Sequence, residues 1–304
     1  MNVVFTQILV ILLYVLIGFA AGKVGLIDPE QRKYLTRICT NLIMPFTVLS
    51  AASQAISGRD LTNLLMAAAL FLAVYCLTTA LSLAALRALR TPEPVRVTAT
   101  SLVTYPNASF LGLPLCRALF GEMAVLYSTI SLVVFNVLFF SWQYTMFTGR
   151  RFSIRNLITP PMVATVLLIP MLLLGWRFPA PVETVVSATG AMITPLSLII
   201  IGVMMSENRL SAILRERRAY VVTAFRNFAI PLVVLLLLRL LPMDPEVRLC
   251  LLVLFSCPCA ALTSIYAIQN DMEPELAARS VLMSTLCFAV SLPVILFLGM
   301  RVLG

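Results

Sequence analysis

Two five-residue stretches carry side chains in spacings that chemistry can use. Ser256-Cys257-Pro258-Cys259-Ala260 sets two thiols around a proline, a soft donor pair of the kind that suits copper(I). Thr104-Tyr105-Pro106-Asn107-Ala108 sets a carboxamide directly after another proline. An asparagine can donate two hydrogen bonds and accept others, and the hydroxyls of Thr104, Ser109, Ser256 and Thr263 lie close by in sequence, so the two prolines are flanked by neutral donors suited to a carboxylate. Arg226, in TAFRNFAIP, is the deepest basic residue of the second half, and a cation inside an apolar run is a functional candidate. Asn41 and Asn136 are lone carboxamides in apolar surroundings.

Each has a plainer use. Asn107 serves equally as a cap on an interrupted helix or as a ligand contact. The small hydroxyls more often bond back to the preceding turn, Asn41 to backbone freed by Pro45, and Asn136 across a helix pair. Arg226 lies about seven residues from a span end, within snorkelling reach, which is its simpler reading.

The elements that must hold these residues follow from composition. Of 304 residues 61% are hydrophobic and 12% charged, against about 25% charged in an ordinary soluble domain. Apolar runs of the roughly 20 residues needed to cross a bilayer recur from end to end. The expected fold class is an all-α integral membrane protein. Windows between breaks predict ten spans, near 4–26, 35–55, 61–86, 97–119, 122–147, 157–176, 183–205, 219–241, 247–269 and 276–301. The first lacks a basic leader region and is too long for a signal peptide, so it reads as a retained span. Sixteen of the 22 Lys and Arg fall on one side of this arrangement, and Arg59, Arg117, Arg177, Arg239, Arg248 and Arg301 on the other. The positive-inside rule then makes the richer side cytoplasmic and puts both termini outside. The basic run ENRLSAILRERR, residues 207–218, reads as orienting the spans beside it rather than as a lipid-binding helix.

The chain also repeats itself. NLIMPFTVL, residues 41–49, resembles AMITPLSLI, residues 191–199, and TYPNA lies over SCPCA. Pro45 and Pro195 are 150 residues apart, Pro106 and Pro258 are 152 apart. Five spans per half is an odd number, so the second half would enter the membrane inverted, giving repeats over 1–148 and 149–304. Interrupted helices at matching positions of inverted repeats point to a midplane binding site in a secondary transporter. Proline removes a backbone donor and strains the turn before it, and groups so freed must face protein, water or ligand in a membrane. The breaks in spans four and nine are therefore expected to meet across a cavity lined by Asn41, Thr104, Tyr105, Pro106, Asn107, Ser109, Asn136, Ser256, Cys257, Pro258, Cys259 and Thr263, with Arg226 as an anion contact.

PNASFLGLPL, residues 106–115, resembles the Asn-x-x-Phe-x-Gly-x-Pro pattern of the auxin efflux carrier family, whose bacterial members include malonate- and malate-type permeases. CPCAALTSIYA, residues 257–267, is similar to that family's proline-centred ninth helix, and NLIMP to its second. The resemblance implies a bile-acid-symporter-like fold in which helices four and nine cross as broken rods and move with an elevator-type transport domain. It implies carriage of small organic anions, mono- or dicarboxylates, in a bacterial inner membrane, and it leaves room for a homodimer. Family members often place Asn soon after the ninth-helix proline. Here Cys259, Ala260, Ala261 and Leu262 intervene before Thr263.

Other classes fare worse. The net charge of +9 is distributed as topology requires, so nucleic acid is not an expected partner, whereas membrane lipid is. Seven cysteines without secretory spacing read as free thiols. No Gly-rich phosphate loop, histidine or membrane-embedded acidic pair supports an enzyme or a resident cofactor or metal. All thirteen acids fall in loops or at span ends, which disfavours a carboxylate proton relay and leaves sodium, protons or uniport open. Cys-Pro-Cys also resembles the motif of heavy-metal pumping ATPases, but no loop holds their cytoplasmic domains. A passive soft-metal permease and a non-transporting receptor remain the rivals.

Overall fold

A computed structural model describes residues 2–54, 57–207 and 215–303. Residues 208–214 of the basic run at 207–218 lie outside the described residues. The chain is helical almost throughout. In order come α1 (Asn2–Lys23), α2 (Pro29–Ser53), α3 (Gly58–Ala88), α4 (Glu93–Thr104), α5 (Ala108–Phe120), α6 (Met123–Thr148), α7 (Pro160–Leu174), α8 (Ala180–Ser206), α9 (Arg217–Leu240), α10 (Pro245–Ser256), α11 (Ala261–Gln269) and α12 (Pro274–Leu303). Among the described residues six helices, α2, α3, α6, α8, α9 and α12, are long and apolar enough to cross a membrane, and the protein is a multi-pass membrane protein.

Helix occupies each of the ten stretches expected from sequence, but not always as one rod. The stretches at 97–119 and 247–269 are each split, into α4 with α5 and α10 with α11, and α7 has only 15 residues. Proline sets many of the boundaries. Pro29, Pro160, Pro245 and Pro274 each open a helix, where a missing N–H costs nothing. Before Pro29, the Asp28 carboxylate accepts from the Gln31 N–H at 2.8 Å while the Gln31 side chain accepts from the Asp28 N–H at 2.9 Å, a reciprocal cap. Inside helices, Pro45, Pro114 and Pro231 each follow a π-helical turn, at Cys39–Ile43, Ala108–Gly112 and Phe225–Ala229. The proline ring collides with the carbonyl four residues back and offers it no donor, and a wider turn relieves both problems.

The chain forms two compact units. The first comprises Met1–Leu64, Ser109–Thr129 and Ile158–Arg209, the second Leu65–Ala108, Ile130–Leu157 and Leu210–Gly304. Each takes chain from both sequence halves. In the first unit α1 and α8 touch backbone to backbone. A Cβ on Gly18 would stand 2.1 Å from the Ile199 carbonyl oxygen, and one on Gly202 would stand 2.0 Å from that of Val15. Small residues permit this approach, which is how helices associate when lipid removes the hydrophobic incentive. The α2 and α8 stretches that resemble each other also pack together, with Thr47 Oγ1 2.9 Å from the Gly190 carbonyl oxygen.

In the second unit a set of rings fills the interior. Phe71 stacks on Phe255 at 4.5 Å, and Tyr105 meets Tyr75, Phe135 and Phe139 at 5.7, 5.2 and 5.3 Å between ring centres. All six rings are buried. Such offset and edge-on contacts add to the area they bury.

Candidate functional site

Within the second unit the gap between α4 and α5 meets the gap between α10 and α11. The Asn107 N–H donates to the Pro258 carbonyl at 2.7 Å, and the Ala260 N–H donates to the Tyr105 carbonyl at 2.9 Å, so Pro106 and Cys259 form an isolated antiparallel bridge. The two breaks were expected to face each other across a cavity. Instead they touch, because each supplies the donor and the acceptor that the other's interruption left unpaired. Pro106, Asn107, Pro258 and Cys259 are all buried.

Arg226 completes the crossing. Its side chain is fully buried, which corrects the snorkelling reading. One guanidinium nitrogen donates to the Val103 and Thr104 carbonyls at 2.9 and 3.1 Å, and the other donates to the Phe255 carbonyl. Those carbonyls lie in the last turns of α4 and α10, where the helices have no internal donor left. The charge stays inside because two partly negative helix ends converge on it. Among the described residues no carboxylate lies within ion-pair distance of it, and its Nε is buried without a partner.

A second set of contacts holds α10, α9 and α12 around the same place. The Cys259 N–H donates to Ser284 Oγ at 3.1 Å. Asn227, also fully buried, donates to the Ser284 carbonyl at 2.8 Å and to Ser291 Oγ at 3.2 Å. Sequence reasoning missed Asn227, Ser284 and Ser291. The available signal was the adjacent pair Arg226-Asn227 in an apolar run two turns or less before Pro231.

The remaining candidates divide. Thr263 Oγ1 lies 2.8 Å from Ser101 Oγ, tying α11 to α4, and Thr104 Oγ1 lies 3.3 Å from Thr79 Oγ1, so neither hydroxyl is spent on its own turn. Ser256 does bond back, to the Leu252 carbonyl at 2.7 Å, and Cys257 Sγ does the same with Val253 at 3.4 Å. Tyr105 is part of the ring cluster. Asn107 and Asn136 are each 7% exposed, and among the described residues their carboxamides make no hydrogen bond. The cap expected of Asn107 and the helix-to-helix bond expected of Asn136 are therefore not formed. Asn41, exposed on its π-helical turn, and Ser109, half-buried, belong to the first unit.

Chemically the site is a polar point in an apolar interior, holding one fixed cation. Every other buried polar side chain among the described residues is neutral: serine, threonine, asparagine or glutamine. Among the described residues that lining holds no buried carboxylate to pair with a cation.

A family model described as membrane transport protein matches this chain over residues 3–154 and 150–296. A relative from Methanothermobacter thermautotrophicus, described as an uncharacterized transporter, is 24% identical over 293 residues, spanning 94% of this chain and 95% of its own.

Proposed function

Because the chain belongs to the membrane transport protein family, that of the auxin efflux carriers, we propose that it is a secondary carrier of small organic anions, mono- or dicarboxylates. It is a transporter rather than an enzyme. The observation that carries the anion reading is the crossing itself: among the described residues its buried charged side chain is Arg226, no carboxylate is buried, and the Asn107 carboxamide makes no hydrogen bond. With Arg226 opposing the negative ends of α4 and α10, the positive end of α11 is left uncancelled, and a carboxylate is the group that suits it. Asn107 donates to the bound carboxylate, and Asn136 is a second free amide in the same unit.

Movement is by alternating access of elevator type. The interleaving of both sequence halves in each unit supports an inverted five-plus-five repeat over 1–148 and 149–304. So does the way the members of each proline-bearing pair, α2 with α8 and the two breaks, come into contact. The carrier sits in a bacterial inner membrane with both termini outside.

The test is uptake of labelled mono- and dicarboxylates into proteoliposomes, with and without sodium and proton gradients. Saturable uptake that is accelerated by the same acid on the far side supports the reading, whereas binding without flux makes the protein a receptor. Asn107→Ala should lower kcat/KM for the transported acid by about tenfold or more, the cost of one lost bond to a charged group, with melting unchanged. Unaltered kinetics would remove Asn107 from the site.

A further inference from the structure

We infer that Arg226 is a cation built into the crossing in place of a mobile one, so that this carrier needs no sodium ion to hold its broken helices together. This rests on the reading of the crossing as the transport site.

Interrupted membrane helices create a specific electrostatic demand. Each helix end carries about half a unit of negative charge, so the converging ends of α4 and α10 sum to about one negative charge, buried where water does not reach. In carriers built on discontinuous helices, such ends and the unwound carbonyls beside them are the groups that coordinate sodium or protons. Here one guanidinium meets that demand. Arg226 reaches the carbonyls of Val103, Thr104 and Phe255, one set from each interrupted helix, and supplies one positive charge to about one negative. Its planar fork suits several carbonyls at once, and it keeps its charge at any physiological pH.

The neighbouring groups offer a second cation no anionic partner. Among the described residues no carboxylate is buried in either unit. Of the nearby hydroxyls, those of Ser101 and Thr263 are bonded to each other, and Ser284 Oγ already accepts from the Cys259 N–H while donating to the Val281 carbonyl. Placing a sodium ion on the same carbonyls would set two positive charges within a few ångströms of each other in a medium of low dielectric, where their repulsion is several times that in water.

The π-helical turn Phe225–Ala229 gives the arginine its position. It sits just before Pro231 and carries both Arg226 and Asn227, the first on the carbonyl ends of α4 and α10, the second on Ser284, whose hydroxyl accepts from the Cys259 N–H. A single turn of α9 therefore fixes both sides of the crossing, and Arg226 is a positioning residue that acts through it.

The experiment compares wild type, Arg226→Ala and Arg226→Lys in lipid nanodiscs, each also carrying Cys76→Ser to remove an exposed thiol, and unfolding is followed by a thiol-reactive dye that reports exposure of the buried cysteines, Cys257 and Cys259 among them. Wild type should melt within about 1 °C of the same temperature in sodium or choline chloride. Arg226→Ala should melt at least about 5 °C lower. Guanidinium at about 10 mM, where added salt screens little, should recover half or more of that loss, with urea and choline recovering none. Arg226→Lys, which keeps the charge but loses the fork, should fall between the two and gain nothing from guanidinium. Recovery by urea equal to that by guanidinium would reduce Arg226 to ordinary packing and overturn the inference, as would a wild-type melting temperature that rises several degrees with sodium. If Arg226→Ala does not fold, Arg226→Lys and wild type decide alone: a melting temperature of wild type that rises several degrees with sodium overturns the inference, and a folded lysine variant with both proteins indifferent to sodium supports it. No organic anion enters these measurements, so their failure and that of the anion reading are separable.

Discussion

Substituting Gly202 by alanine adds one carbon where α8 runs against the backbone of α1. The new Cβ would stand 2.0 Å from the Val15 carbonyl oxygen, 2.6 Å from the Phe19 nitrogen and 2.9 Å from the Gly18 Cα. These are backbone atoms of α1 and cannot rotate away. An ordinary carbon-to-oxygen contact is about 3.3 Å, so α1 and α8 must part by about 1.3 Å along a seam that Gly18 and Gly22 also share. Overpacking of this kind costs about 1–3 kcal/mol, which lowers the melting temperature by roughly 2–5 °C for a chain of this size. Gly58→Ala is the matched control, since nothing lies within 4 Å of its added carbon and loss of unfolded-chain freedom makes it neutral or slightly stabilising, by up to about 1 kcal/mol. Thermal unfolding in nanodiscs, read by intrinsic tryptophan fluorescence, measures both. If Gly202→Ala melts with wild type while Gly58→Ala does too, α1 and α8 are not in backbone contact and the packing described for the first unit is wrong.

Two further outcomes follow from the second unit. Ser101→Ala and Thr263→Val, singly and together, should give a coupling of about 0.6–1.7 kcal/mol in a double-mutant cycle on unfolding, and strict additivity would break the tie between α4 and α11. The Glu216 carboxylate, hydrogen-bonded by Arg218 and close to Arg279, is held below its ordinary value of 4.5 chiefly by that hydrogen bond. Its folded value is the lower one, so the stabilisation is complete above the ordinary carboxylate range and drains away as the pH falls through the depressed value. Wild type should thus lose melting temperature more steeply below about pH 4.5 than Glu216→Gln, and the difference should shrink in high salt because the pair is partly exposed. Parallel curves would show that the pair does not favour the folded state.

Pro106 and Pro258 were legible as breaks because proline's missing donor and fixed ring act wherever it stands, and the agreement of two sequence offsets pairs them. Arg226 was not legible. Distance to a span end allows snorkelling, and the side chain turns inward only because the last carbonyls of α4 and α10 converge on it from positions 122 and 29 residues away in sequence. Asn136 misled in the opposite direction: a lone amide in an apolar run usually finds a neighbouring helix, and whether a partner stands opposite depends on a register that periodicity does not encode. The span at 247–269 looked continuous by hydropathy although its proline had marked the break, since hydropathy averages over the four residues where α10 stops and α11 begins.

The hydrogen bonds at the crossing join residues 107 to 258 and 105 to 260. A chain made from its N-terminus completes α4 long before those partners exist, and the arginine that neutralises its end arrives only at position 226. Throughout that interval the Tyr105 carbonyl and the Asn107 N–H must be sheltered by something else, lipid headgroups, water or the insertion machinery, because each bare group costs several kcal/mol in hydrocarbon. A chain truncated before Ala260 therefore lacks the partner that the carbonyl beyond the end of α4 requires, so the stability of this early helix is settled by residues made more than 150 positions later.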